Sequence, residues 1–217
     1  MKLLIIRHGD PDYEHDCLTD LGREQAVKLA ARLAGTKIDG VYSSPMGRAR
    51  ETAGFYCDLT GREAVVLPWL HEFDVKITDT ELNEPVVTWD MLPSHWTKSP
   101  LLYDRVGYSS APELAGSDMH SRALSVGEGL DALLTSYGLI REGNVYRKEG
   151  ECGETLALFC HFGVGCVMIA HLLGISPMVA LNGLSADPTA VATLCTDDRF
   201  PTLVNFRLHG YNDRSHL

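Results

Sequence analysis

Residues 2–7, KLLIIR, carry four large apolar side chains in succession with no polar residue between them. A strand that alternates apolar and polar residues can leave one face in water, whereas one that does not alternate is buried on both faces. TLALFCH, residues 155–161, has the same character and ends on His161. Helical patterns lie between such strands. In LTDLGREQAVKLAARLAG, residues 18–35, Thr19 is the expected N-cap and Leu21, Ala26, Leu29, Ala30 and Leu33 share a face, with Gly35 at the stop. A second strand, DGVYSSP, runs straight into a helix that Ser44 is placed to cap and Pro45 to open, with Gly61 beyond its end. AVVLPW reads as a third strand, FGVG as a turn before the helix CVMIAHLLG, and TAVATLCT and TLVNFRLHG as closing strands. Strands alternating with helices imply an α/β fold around a largely parallel sheet.

Residues 73–150 interrupt this order. They hold Trp89, Trp96, Tyr103 and Tyr108 without clear periodicity, and HSRALSVGEGLDALLTSYG closes them as an amphipathic helix. The expectation is one domain over 1–217 with an insertion at about 73–150 whose aromatic residues form a small core of its own. Arg122 and Lys98 are expected to be solvated surface cations.

The formal net charge of −10 disfavours a nucleic-acid partner, since no block of Lys and Arg opposes it. No apolar run reaches the length of a membrane span, and LLII, cut off by Arg7, is too short for a secretory signal. The six cysteines include no C-x-x-C pair, which favours reduced thiols and a cytoplasmic location. Oligomeric state is open at this level, a homo-oligomer included.

Ligands of open α/β sheets bind at the carboxyl ends of the strands. The first strand ends at Arg7 and His8, the second leads into Ser43, Ser44 and the helix bearing Arg48, and the late strand ends at His161. Two arginines and two histidines at one sheet edge repel one another unless an anion lies among them, and a guanidinium fork matches phosphate oxygens. Helix N-termini following these strands add backbone N–H donors. The pattern implies a phosphate site. Imidazole is available as a neutral nucleophile near pH 7, so either His8 or His161 could accept a phosphoryl group and pass it to water.

IIRHGD, LTDLGREQA, YSSPMGRARETA, LHEFD and FCHFGVG, in this order, resemble the motifs of the histidine phosphatase superfamily, the phosphoglycerate mutase-like family, and its phosphatase branch in particular. The resemblance covers residues 1–72 and 152–208 and leaves the insertion poorly covered. It implies a three-layer α/β/α fold with a cap insertion and a metal-independent phosphomonoesterase without cofactor, acting on a small phosphorylated metabolite. By the same resemblance His8, in the RHG motif, matches the nucleophile that becomes a phosphohistidine. Arg7 and Arg48 match the phosphate-binding arginines, and His161 matches the second histidine, which bonds the transferred phosphoryl oxygens. Glu72 matches the acid that protonates the leaving group and then activates water. That first task requires a carboxyl raised by burial or by neighbouring negative charge.

Two features depart from the family pattern. Phe162 follows His161 where glycine is usual, and DPDYEHD replaces a loop that often carries a phosphate contact. Asp10 and Asp74 are reserve candidates for the acid, and Tyr13 and His15 are expected to be solvated. Three alternatives compete: a phosphoglycerate mutase, which the acidic EFDVKITD segment after Glu72 disfavours; a metallohydrolase built on His8, Asp10, His15 and His161; and a catalytically inert binding module.

Overall fold

The structure is a computed structural model that describes residues 1–79, 84–200 and 202–217. Six strands form the central sheet: β1 (Lys2–Arg7), β2 (Gly40–Ser43), β3 (Val65–Val66), β4 (Thr155–Cys160), β5 (Val191–Thr196) and β6 (Phe206–Asp213). Their order is β6-β5-β1-β4-β2-β3. β1, β4, β2 and β3 pair in parallel, and β5 alone runs against the others. The register sets Arg7 opposite Cys160 and Phe159 opposite Ser43. The chain therefore leaves three adjacent strands at one level, with His8, His161 and Ser44 as the next residues.

The unbroken apolar run of β1 divides between two cores. Leu4 and Ile6 pack with Leu29, Leu33 and Tyr56 from α1 (Asp20–Ala34) and α2 (Gly47–Thr60). Leu3 and Ile5 face the opposite core, with α3 (Met119–Thr135), α4 (Phe162–Leu173) and α5 (Pro177–Gly183). Helices thus cover both faces, giving the three-layer arrangement. Each Leu or Ile so buried contributes about 1.5–3 kcal/mol of transfer free energy.

Thr19 caps α1 as expected, accepting from the Gly22 N–H. Leu21 does not join the buried face and is 55% exposed, because the chain is still entering the helix there. Ser44 does not start α2: the N-cap is Met46 and Ser44 is turned elsewhere. No turn separates β4 from its helix, since α4 begins at Phe162 and FGVG is its first turn. The expected third strand shrinks to two exposed edge residues, and TLVNFRLHG splits between two sheets. Residues 203–204 pair with the hairpin Leu139–Glu142/Val145–Lys148, and 206–213 join the central sheet.

Within 73–150, a β-hairpin (Lys76–Asp79 with Glu84–Val87) and short helical turns precede α3. Tyr108 is buried, Trp96 and Tyr103 pack ring to ring at 5.3 Å, and Trp89 meets Phe162 edge-on at 5.7 Å. Among the described residues, no helix is long and apolar enough to cross a membrane.

Candidate active site

His8 takes over where β1 stops, held by its N–H on the Cys160 carbonyl at 3.0 Å. The turn beyond it depends on Gly9 for a packing reason. A Cβ there would lie 2.6 Å from the Gly22 carbonyl oxygen, so bare backbone lets α1 approach the loop. The His8 ring is 1% exposed. Its Nδ1 lies 2.7 Å from the Gly9 carbonyl, which can only accept, so the ring proton sits on Nδ1 and Nε2 carries the free lone pair. Arg48 Nε donates to that Nε2 at 3.2 Å. Burial, then the Arg7 and Arg48 charges, lower the His8 pKa to about 4 against the opposing pull of the Gly9 bond and Asp16. The imidazole is neutral at pH 7, as a nucleophile requires.

His161 packs edge-on to His8, ring centroids 5.1 Å apart. Its Nε2 is 2.7 Å from Ser44 Oγ, which also accepts from the Met46 N–H. Burial, followed by the charges of His8 and Arg48, lowers its pKa to about 2. Nδ1 is buried without a hydrogen-bond partner, and so is Arg7 Nε, while the Arg7 fork donates to the Ala186 carbonyl. Buried nitrogens without a partner at the ends of two adjacent strands are costly in a native fold, and Arg7 Nε, always a donor, calls for an acceptor oxygen such as an anion carries.

Arg48 is 5% exposed and is held from several sides. Asp16 Oδ1 accepts from its Nη1 at 2.6 Å, and Asp16 Oδ2 accepts from the Gly47 N–H at 2.6 Å, so one carboxylate fixes both the guanidinium and the start of α2. Burial pushes the Asp16 carboxyl up, but the Gly47 and Arg48 bonds outweigh it and hold the group below the usual range. Asp16 adopts a left-handed backbone, φ 48°, a region in which Asp is enriched. Tyr13 is solvated as expected, yet its ring lies 5.3 Å from the Arg48 guanidinium carbon.

Glu72 lies on irregular chain between Leu70 and Val75, both buried. Its Oε1 accepts from the Phe73 N–H at 2.7 Å and from the Val164 N–H at 3.1 Å, so it also caps α4. Gly163 makes this possible: a Cβ there would lie 2.9 Å from Glu72 Oε1 and would also run into the Trp89 ring. Burial raises the Glu72 pKa, opposed by those two N–H bonds and by Arg48 and Arg7. A folded value above the unfolded one stabilises the protein below the unfolded value, and this contribution is lost as pH rises through the folded value. Glu72→Gln keeps the Oε1 acceptor without the buried charge. It is expected to melt above the parent at pH 8 and to lose that advantage by pH 4, read by thermal melts at both.

The structure thus brings together His8, His161, Arg7, Arg48 and Glu72, and leaves the reserve residues outside. Asp10 accepts from the Thr19 hydroxyl at 2.7 Å, which fixes the start of α1. Asp74 is paired with Arg122 at 2.9 Å, so Arg122 is no free surface cation. His15 is bonded to Asp12 on an exposed hairpin. Of the four donors of the metallohydrolase alternative, only His8 and His161 therefore meet, and among the described residues no group of three or more His, Cys, Asp or Glu could hold a metal ion. Ser44, Asp16 and Thr52, whose hydroxyl accepts from the Gly9 N–H at 3.0 Å, complete the surroundings.

Residues 3–138 match the model of the histidine phosphatase superfamily (branch 1). The chain belongs to this superfamily. A 5''-phosphoribostamycin phosphatase of Niallia circulans is 28% identical over 100% of this chain and 98% of its own length. Two solved structures share the fold across nearly the whole chain. One is a phosphoserine phosphatase mutant from Entamoeba histolytica in complex with phosphoserine, with TM-score 0.66, 21% identity and coverage of 100% of this chain and 98% of that one. The other is a mycobacterial glucosyl-3-phosphoglycerate phosphatase complexed with VO3, with TM-score 0.64, 21% identity and coverage of 97% and 98%. With the sheet order described above, they establish the phosphoglycerate mutase-like α/β/α fold.

Proposed function

We propose that this protein is a metal-independent phosphomonoesterase that hydrolyses a small phosphorylated metabolite through a phosphohistidine on His8. The observation that carries the reading is the pair of buried nitrogens without a partner, Arg7 Nε and His161 Nδ1, beside a histidine whose Nε2 lone pair is unprotonated. Family membership and the full-length relative, a phosphatase by name, support the same class.

The chemistry follows from the geometry. Phosphoryl oxygens accept from Arg7, Arg48 and His161. His8 Nε2 attacks phosphorus: an N–P bond forms, the P–O bond to the leaving group breaks, and Glu72, protonated, gives its proton to the departing oxygen. Water then enters. Glu72 takes a proton from it, a new P–O bond forms, the N–P bond breaks, and inorganic phosphate leaves with His8 neutral again. Arg48 must release His8 Nε2 as the substrate seats, exchanging an imidazole nitrogen for a phosphate oxygen as acceptor.

In this reading the chain is one domain, and residues 73–150 form the cap that faces the leaving group; the contact of Trp89 with Phe162 beside His161 supports that. A cytoplasmic location fits six unpaired cysteines, three of them buried. The test is phosphate release from a panel of phosphoserine, 5''-phosphoribostamycin, glucosyl-3-phosphoglycerate and 3-phosphoglycerate, with and without chelator. Turnover of at least one compound, unchanged by chelator, is expected. Isomerisation of 3-phosphoglycerate without phosphate release, or activity lost to chelator and restored by a divalent metal, overturns the proposal.

A further inference from the structure

The candidate acid lies on chain without regular secondary structure, yet its carboxyl must be held to a fraction of an ångström to deliver a proton. One side chain from the 73–150 segment grips this stretch. Arg122, in the first turn of α3, donates through Nη2 to the Glu72 carbonyl at 2.8 Å and through Nη1 to Asp74 Oδ1 at 2.9 Å. Its guanidinium carbon also lies 5.3 Å from the centre of the buried Phe73 ring. Three consecutive residues, 72 to 74, are thus fixed by one fork.

The bond to the Glu72 carbonyl matters most. That C=O and the Phe73 N–H belong to one rigid, planar peptide unit and point in opposite directions. The Phe73 N–H is the donor that orients Glu72 Oε1. Holding the carbonyl therefore holds the N–H, and the N–H aims the carboxyl. We propose that Arg122 is a positioning residue for Glu72, acting through the Glu72–Phe73 peptide plane. The inference rests on Glu72 being the acid of the proposed mechanism.

If the peptide turns, Oε1 loses a bond that favours its charged form, so the carboxyl keeps its proton to higher pH. The other groups around Glu72 are Arg7 and Arg48 from β1 and α2, Cys160 and Cys166 from β4 and α4, Asp74 along the chain, and His71, whose Nδ1 lies 3.2 Å from the same Glu72 carbonyl; loss of the Arg122 charge, which takes from Asp74 its pairing with it, raises the carboxyl in the same direction.

The test compares kcat/KM for phenyl phosphate, whose leaving group needs a proton, with that for 4-nitrophenyl phosphate, whose leaving group does not. Arg122→Met keeps an apolar stem over Phe73 but removes both donors. It is expected to lose about tenfold more on phenyl phosphate than on 4-nitrophenyl phosphate, with the alkaline limb of the pH profile moved upward. Arg122→Lys, which retains a donor for the carbonyl, is expected to recover most of that difference. Equal losses on both substrates with an unmoved limb overturn the inference and reduce Arg122 to an anchor of its segment; thermal melts show whether that anchoring is the whole effect. Glu72→Gln is the control. A large leaving-group dependence in Glu72→Gln but none in Arg122→Met refutes the positioning role alone, whereas none in Glu72→Gln refutes the acid assignment and the inference with it.

Discussion

Replacing His8 with alanine is expected to abolish phosphate release, lowering kcat/KM by about four orders of magnitude or more, the scale on which removal of a covalent nucleophile acts. The loss should be confined to chemistry. His8 is neutral, so its removal takes no positive charge from the pocket, and Arg7 and Arg48 keep their donors. Binding of inorganic phosphate, read by calorimetry, should therefore stay within a few-fold of the parent. The variant should also remain folded, since the ring's protein bonds are to Gly9 and Arg48 and the strand is held by β4 and β5 on either side. A phosphoryl label that survives base and is lost in acid should form on the parent and be missing from the variant. Turnover in folded His8→Ala would remove His8 from the mechanism, and a label retained in it would move the nucleophile to another residue.

The sheet edge was readable from sequence because strand ends are local. An apolar run that stops at Arg7-His8 or at His161 announces both the strand and the site, and parallel neighbours bring such ends to one level. What could not be read was which side chains finish each other's hydrogen bonds. Ser44 looked like a helix cap because it precedes Pro45, but the helix starts later and the hydroxyl goes to His161, 117 residues away. Asp16 is the last acid of DPDYEHD, with nothing in the sequence to mark it, and only the fold brings that loop against Arg48. Arg122 had no signal at all. A single arginine on an amphipathic helix reads as a surface charge, and its partner is a backbone carbonyl, which no sequence pattern marks. Gly9 makes room for Gly22, a contact between segments whose proximity depends on the packing of α1 and which the sequence does not mark. Exposed Leu21 and the two-residue β3 show the converse limit, where apolar residues at element ends follow the local pattern without reaching the core.

Arg48 is the side chain whose loss should reach furthest beyond its own contacts. Its Nε meets His8 and its Nη1 meets Asp16, and in the proposed mechanism the same planar group grips phosphate. Each charge-assisted bond to a phosphoryl oxygen is worth about 1.5–3 kcal/mol, so losing two of them lowers kcat/KM by about two to four orders of magnitude. Arg48→Ala is expected to show this loss in full. Arg48→Lys should recover little of it, because an ammonium is a point charge and cannot serve Asp16 and a phosphate oxygen along one fork. The pH profile adds an independent readout. Burial is the main cause of the low His8 pKa, with Arg7 and Arg48 adding to it and Asp16 opposing. Removing Arg48 deletes one depressing charge and leaves the Asp16 carboxylate uncompensated. Both changes raise the His8 pKa from about 4, so a larger share of the imidazole is protonated in mildly acidic solution. The acid limb of kcat/KM should therefore move to higher pH in Arg48→Ala and much less in Arg48→Lys, where a positive charge remains. A loss of rate with an unmoved limb would mean that Arg48 binds substrate without tuning the nucleophile. A rate within threefold of the parent would mean that the orphaned donor of Arg7, and not the Arg48 fork, is what holds the anion.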